Sequence, residues 1–261
     1  MTPHEIIDKA CADYSITKVV ALFSGGHDSL TATYVASSHP AFIGTAHINT
    51  GIGVRETREY VYETCRQQGW ELFEYHPPEG HTYRDIVLKH GFPGPGAHRY
   101  AYTSLKERCL RQLTKDFKEH RLEHIGLVSG VRSEESTRRM AHVDTIQKDG
   151  SRVFIAPIHD WSKMKCNEYI TKEGLKRNEV VDMIHMSGEC LCGAFARKGE
   201  FAHLQFFYPE TAKMISDLED EVAAAGKPAV WGKPPGQHPK DQQLMDFMPL
   251  CVGCAKRVEE E

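Results

Sequence analysis

Short apolar runs and amphipathic runs take turns along the first 175 residues of the chain. Residues 3–14 set Ile6, Ile7, Ala10 and Cys11 on one side of a helix. Residues 18–23, Lys-Val-Val-Ala-Leu-Phe, read as a strand, and residues 30–37 read as a helix. Between them lies the polar turn Ser24-Gly25-Gly26-His27-Asp28-Ser29. The pattern continues with a strand at 42–48, a helix at 56–68, a strand at 70–75 and a helix at 83–89. The prolines and glycines of 91–96 exclude regular structure there. A longer helix at 100–119 and a strand at 124–128 follow. Beyond residue 150 come a strand at 153–158, a helix at 162–173 capped by Ser162, and a helix at 211–225. Residues 227–240 hold four prolines and read as a connector.

Strands alternating with helices predict an α/β fold, a mainly parallel twisted sheet with helices on both faces. Ligands of such sheets bind outside the carboxyl ends of the strands. The polar clusters at 24–29, 49–53 and 129–139 each follow a strand directly, so they are expected to converge on one edge. The expected organisation is a nucleotide-binding domain over 1–175. A helical C-terminal region over 176–261, carrying cysteines, is expected to pack on it.

The chain has 261 residues, of which 40% are hydrophobic and 26% charged, as expected of a soluble globular protein. No apolar run approaches the roughly 20 residues of a bilayer span, so no membrane partner is expected. The N-terminus lacks a basic start followed by an apolar stretch, and the expectation is a cytoplasmic protein. A net charge of −4 argues against broad, non-specific nucleic-acid binding, while leaving room for a local basic site.

The turn at 24–29 carries specific chemistry. Gly25 and Gly26 permit left-handed or crowded backbone. Their N–H groups, with those of the helix start, can surround a phosphate. Ser24 and Ser29 can donate to phosphate oxygens. Asp28 beside a phosphate calls for an offsetting charge, and Mg²⁺ takes carboxylate and phosphate oxygens together. Past the fourth strand, Arg132, Arg138 and Arg139 can neutralise and orient a polyphosphate, with Glu134, Glu135 and Ser136 to orient them. Lys106 is a further phosphate candidate, on a helix whose basic residues can equally face water.

Eight cysteines fall into two kinds. Cys11, Cys65, Cys109 and Cys166 stand singly in helical runs and read as small buried hydrophobes. Cys190 and Cys192 form a C-x-C pair, and Cys251 and Cys254 a C-x-x-C pair. Four thiolates can hold Zn²⁺ or an iron–sulfur cluster, and the spacing does not choose between them.

The stretch "SGGHDS" resembles the PP-loop of ATP pyrophosphatases, which cleave ATP between the α and β phosphates. In order, "HINTGIGVRETREYV" (47–61), "GVRSEESTRR" (130–139) and "PIHDWSKMKCNEYI" (157–170) resemble segments of phosphoadenosine-phosphosulfate (PAPS) reductase-like proteins. The resemblance covers about residues 15–175. It implies an adenine nucleotide α-hydrolase fold and ATP across the strand ends. Ala21 to Ser24 and His47 to Asn49 would border the adenosine. Ser24, Gly25, Gly26, His27, Ser29, Lys106, Gly130, Ser136 and Arg139 would bind phosphate, and Asp28, Arg132 and Arg138 would be catalytic. Position 27, often Lys in the family, is His here. For the four paired cysteines the resemblance favours a [4Fe-4S] cluster over zinc.

Sulfonucleotide reductases end in a Glu-Cys-Gly-x-His motif whose cysteine attacks sulfur, and Ala-Lys-Arg-Val-Glu-Glu-Glu follows Cys254 here. The expectation is therefore an ATP pyrophosphatase that adenylylates an acceptor for sulfur insertion, with ATP and Mg²⁺. The resemblance is strongest to the ATP-pyrophosphatase component of DNA phosphorothioation systems. That implies a DNA backbone phosphate as acceptor, a cysteine desulfurase as sulfur donor and DNA-modification proteins as partners. A sulfonucleotide reductase, a tRNA-thiolating enzyme and a non-catalytic nucleotide-binding module are the alternatives.

Overall fold

A computed structural model describes residues 1–134, 144–197 and 199–232. In chain order they form α1 (Pro3–Tyr14), β1 (Lys18–Leu22), α2 (His27–Ser37), β2 (Phe42–Ile48), α3 (Arg55–Gln68), β3 (Leu72–Tyr75) and α4 (Tyr83–His90). A continuous helical path follows: α5 (His98–Tyr102), a wider π-type turn (Thr103–Glu107) and α6 (Arg108–Phe117). Next come β4 (Ile125–Val128), β5 (Ile146–Asp149), β6 (Arg152–Ile155), α7 (Lys163–Lys172), α8 (Glu179–Ile184), α9 (Glu200–Phe207) and α10 (Pro209–Ala224). Local chemistry sets several ends. Thr2 and Glu5 form a reciprocal capping box ahead of α1, with Pro3 in its first turn. Ser162 caps α7 as expected, accepting from the Lys165 N–H at 3.2 Å.

The described residues divide into two compact units. The first takes Met1–Ile48, Glu59–Tyr75 and Leu110–Asn178; the second takes Asn49–Arg58, His76–Cys109 and the chain from Glu179. The last change of unit falls at 178/179. The earlier changes lie inside the span read as one nucleotide domain.

The first unit is built on one six-stranded sheet, order β3-β2-β1-β4-β6-β5. All neighbours are parallel except β5, which runs antiparallel to β6 across a turn at Gly150 (φ +60°). The mainly parallel α/β fold expected from the sequence is thus present. Strand β5 was not foreseen: Ile-Gln-Lys-Asp lies at the sheet edge with most of its side chains exposed, so apolar patterning carries no signal.

Side chains alternate across the sheet. On β1, Val19 and Ala21 pack with Ile6, Ile7 and Ala10 of α1 and Ala32, Val35 and Ala36 of α2. Val20 points the other way, into a cluster with Leu110 and Leu113 of α6. Strands covered on both faces are apolar throughout, which is why β1 and β4 read as continuous hydrophobic runs. Burying each such side chain contributes about 1.5–3 kcal/mol. After β1 the chain turns toward β2, whereas β4 leads away to the other side. The loops following β1 and β4 therefore flank the point where strand order reverses.

The second unit has its own core, centred on Ile52, Val54, Val87, Leu105, Ile184, Leu204, Ile215 and Val222. The segment around Gly188 to Leu191 lies along residues 50–54. The Val54 N–H donates to the Gly188 carbonyl (2.7 Å), the Leu191 N–H to the Ile52 carbonyl (2.6 Å), and Thr50 Oγ1 to the Glu189 carbonyl (2.9 Å). A Cβ on Gly53 would stand 2.5 Å from the Glu189 carbonyl oxygen, so this pairing needs glycine.

Candidate functional site

The turn at 24–29 belongs partly to the helix. The sequence places the helix start at residue 30, but α2 begins at His27, so His27, Asp28 and Ser29 form its first turn. Gly25 is left-handed (φ +78°). Gly26 is the N-cap and offers no side-chain cap to the first N–H groups of α2, the arrangement an anion can complete. The hydroxyls form a short chain: Ser24 Oγ donates to Ser29 Oγ (3.1 Å), which donates to the Gly26 carbonyl (2.8 Å).

The loop after β4 comes up against this turn. At Gly130 a Cβ would lie 2.5 Å from the Asp28 carbonyl carbon and 2.6 Å from the Ser29 nitrogen, so only glycine allows the two loops to meet. Two residues on, the Arg132 side chain is 1% exposed. Its Nε stands 3.2 Å from Asp28 Oδ2, and its Nη1 donates to Glu134 Oε2 at 2.8 Å. Lys163 Nζ, at the start of α7, lies 3.5 Å from Asp28 Oδ1.

The sequence reading gives Asp28 one role, beside Mg²⁺, and the structure gives it another. It is buried and serves as counter-charge to a buried guanidinium. A single carboxylate can still hold Mg²⁺, because that ion keeps several waters and phosphate oxygens. Asp28 Oδ1 stands 3.5 Å from the Lys163 ammonium.

Three residues that sequence reasoning did not select complete the surroundings. Asn178 Nδ2 donates to the Gly25 carbonyl (2.9 Å), Arg177 Nη2 faces His27 Nδ1 (3.1 Å), and Lys163 faces Asp28. Arg177 and Asn178 lie outside the quoted motifs and Lys163 lies in the 157–170 segment without a role assigned to it, so only their approach in space reveals them. His47, expected near adenosine, is buried, and its Nδ1 donates to the Phe23 carbonyl (2.9 Å), joining the ends of β1 and β2. Arg138, Arg139, Glu135 and Ser136 lie outside the described residues.

Lys106, Cys190 and Cys192 are brought together in the second unit. Lys106 Nζ donates to Glu189 Oε2 at 2.7 Å; the Glu189 side chain is 4% exposed. Both residues line a pocket enclosing about 770 Å³, part of it open to solvent, with Cys190, Cys192, His98 and Phe195. The hydrogen bond with Cys192, then burial, push the Cys190 thiol well above its ordinary range. The two thiols thus lie within hydrogen-bonding reach of each other. Cys251 and Cys254, the other two ligands expected from the sequence, lie outside the described residues, and no group of three or more potential ligands occurs among those described. Lys106→Met is expected to lower Tm by several degrees, since a buried carboxylate without its cation costs roughly 3–5 kcal/mol. Thermal unfolding with Lys106→Arg as control checks it.

Three of the single cysteines, Cys11, Cys65 and Cys109, are quiet. Burial pushes the Cys109 thiol up to about 11 and raises the thiols of Cys65 and Cys11. None is an activated nucleophile.

A glycine turn opening a helix, met by a guanidinium–carboxylate pair at the switch point of a parallel sheet, defines the class as an α/β nucleotide-binding protein. Residues 18–187 match the phosphoadenosine phosphosulfate reductase domain, and the chain belongs to that family. An uncharacterized protein of Methanocaldococcus jannaschii is 24% identical over 77% of this chain. The chain spans about half of that relative, 49% of its length. An uncharacterized 37.8 kDa protein of Escherichia phage 186 is 22% identical over 85% of this chain and 80% of its own. Among solved structures, a phosphoadenylyl-sulfate reductase from Candida auris in complex with phosphate aligns with a TM-score of 0.52. Identity is 17%, covering 70% of this chain and 84% of that one, and the likeness is one of fold. No helix of the described residues is long and apolar enough to cross a membrane.

Proposed function

We propose that this protein is an ATP pyrophosphatase that activates an acceptor by adenylylation for sulfur insertion. The observation that carries the reading is the Gly25-Gly26 turn at the start of α2, closed by the Gly130 approach and backed by the buried Asp28–Arg132 pair. The first turn of α2 and the Ser24 and Ser29 hydroxyls bind the β and γ phosphates. Arg132 holds Asp28 in place, and Lys163 adds positive charge beside it. An acceptor oxygen then attacks the α phosphorus, the bond to the bridging oxygen breaks, and pyrophosphate leaves. Mg²⁺, held by Asp28 and the phosphates, supplies charge neutralisation when bound. In this reading a DNA backbone phosphate is the acceptor, a cysteine desulfurase supplies sulfur, and DNA-modification proteins are partners; the sequence resemblance supports these assignments.

Reduction of a sulfonucleotide needs an activated thiol. The raised thiols of Cys65 and Cys109 do not supply one. Product analysis from labelled ATP tests the reading: AMP and pyrophosphate are expected, and ADP with phosphate would sink it.

The paired cysteines are proposed to hold a [4Fe-4S] cluster, with zinc as the alternative. Protein purified without oxygen is expected to carry iron and acid-labile sulfide, lost on Cys192→Ser. Stoichiometric zinc without iron would make the centre a structural staple instead.

A further inference from the structure

Arg177 and Asn178 end the first unit, just past α7, and both side chains reach back to the glycine turn. Asn178 is 1% exposed, and its amide is spent on the Gly25 carbonyl. The Gly25–Gly26 peptide is trans, so its C=O and N–H point in opposite directions. Holding the Gly25 carbonyl on Asn178 turns the Gly26 N–H the other way. A carbonyl on the phosphate side would repel an anion; the Asn178 hydrogen bond keeps it off that side.

Arg177 acts one residue further on. The guanidinium has no acceptor and does not deprotonate, so the His27 Nδ1 it faces at 3.1 Å must be the acceptor. The imidazole is thereby neutral, with its proton on Nε2. Arg177 is itself held from α7, where Nη1 donates to Asn167 Oδ1 at 3.1 Å. His27 is 2% exposed, so its ring is fixed by these contacts rather than by solvent.

We infer that Arg177 and Asn178 are positioning residues of the phosphate loop, Asn178 setting the Gly25–Gly26 peptide plane and Arg177 fixing His27 as the Nε2–H tautomer. The inference rests on reading the loop as a nucleotide-phosphate site, and it is independent of which phosphate bond is cut.

The experiment measures ATP and inorganic pyrophosphate binding by calorimetry, with ¹⁵N spectra of the histidine rings, for wild type, Arg177→Met, His27→Asn, their double variant and Asn178→Asp. Wild type is expected to show His27 with a pyridine-type Nδ1 and a protonated Nε2. In Arg177→Met the two tautomers exchange and Kd rises about tenfold, the scale of one lost charge-assisted hydrogen bond. The double variant should be no weaker than the worse single one, because Arg177 acts through His27. Asn178→Asp, close in shape but unable to donate, should raise Kd at least as much. Unchanged histidine spectra, additive losses, or a lowered Tm with unchanged Kd would each overturn the inference. ADP as the product with these binding changes intact would sink only the pyrophosphatase reading. Wild-type protein that binds neither ATP nor pyrophosphate would overturn both.

Discussion

Replacing Asp28 by alanine is expected to abolish pyrophosphate release and also to lower Tm by roughly 6–12 °C, the effect of about 3 kcal/mol in a chain of this size. The two effects have one origin. The Arg132 side chain is 1% exposed, and Asp28 and Glu134 both pair with it. Removing Asp28 takes a buried counter-charge from the guanidinium, and Glu134, whose side chain is 46% exposed and sits in high dielectric, offsets it less well. In the proposed mechanism the same deletion removes the carboxylate that would hold Mg²⁺ against the glycine turn. Asp28→Asn separates the effects. It keeps the shape and one acceptor oxygen, so a smaller fall in Tm is expected with the same loss of turnover. Product assays and thermal unfolding on both variants check this. Full turnover by Asp28→Asn would remove the carboxylate from the chemistry and leave it a structural counter-ion.

Gly130→Ala is expected to weaken ATP binding more than tenfold and to cost about 1–3 kcal/mol in stability, the usual range for overpacking. Its Cβ would meet the Asp28 carbonyl carbon at 2.5 Å, the Ser29 nitrogen at 2.6 Å and the Asp28 carbonyl oxygen at 2.7 Å. All three are backbone atoms, so no side chain can rotate away. The loop after β4 must retreat from the first turn of α2, carrying Arg132 off Asp28 and distorting the anion site together. Gly96→Ala is the control, because nothing lies within 4 Å of its added carbon, and it should leave both quantities unchanged. Unaltered nucleotide affinity in Gly130→Ala would mean that the close approach of the loops does not shape the site.

Much of this was legible along the chain. The strands β1 and β4 announce themselves because they are covered on both faces and, past Lys18, are apolar throughout; β2 does so although it buries Thr45 and His47. The glycine turn announces itself because both its glycines and its hydroxyls are consecutive. Arg132 could be picked out by its place just after a strand, since strand ends of parallel sheets converge. The edge strand β5 could not, because its polar residues look like those of a loop. Nor could the discontinuous second unit: residues 49–58 and 76–109 join the chain from Glu179 by contact, which sequence distance does not announce.

The sequence by itself determined the alternation of strands and helices, the phosphate-suited turn and the family, because each depends on residues adjacent in the chain or repeated at a fixed period. Tertiary structure alone decided that Asp28 is the counter-ion of Arg132, that Lys106 is paired with Glu189, and that Asn178 and Arg177 hold a turn some 150 positions earlier. A hydrogen bond or ion pair depends on atoms meeting within about 3 Å, and that proximity is a property of the folded chain, to which separation along the sequence contributes nothing.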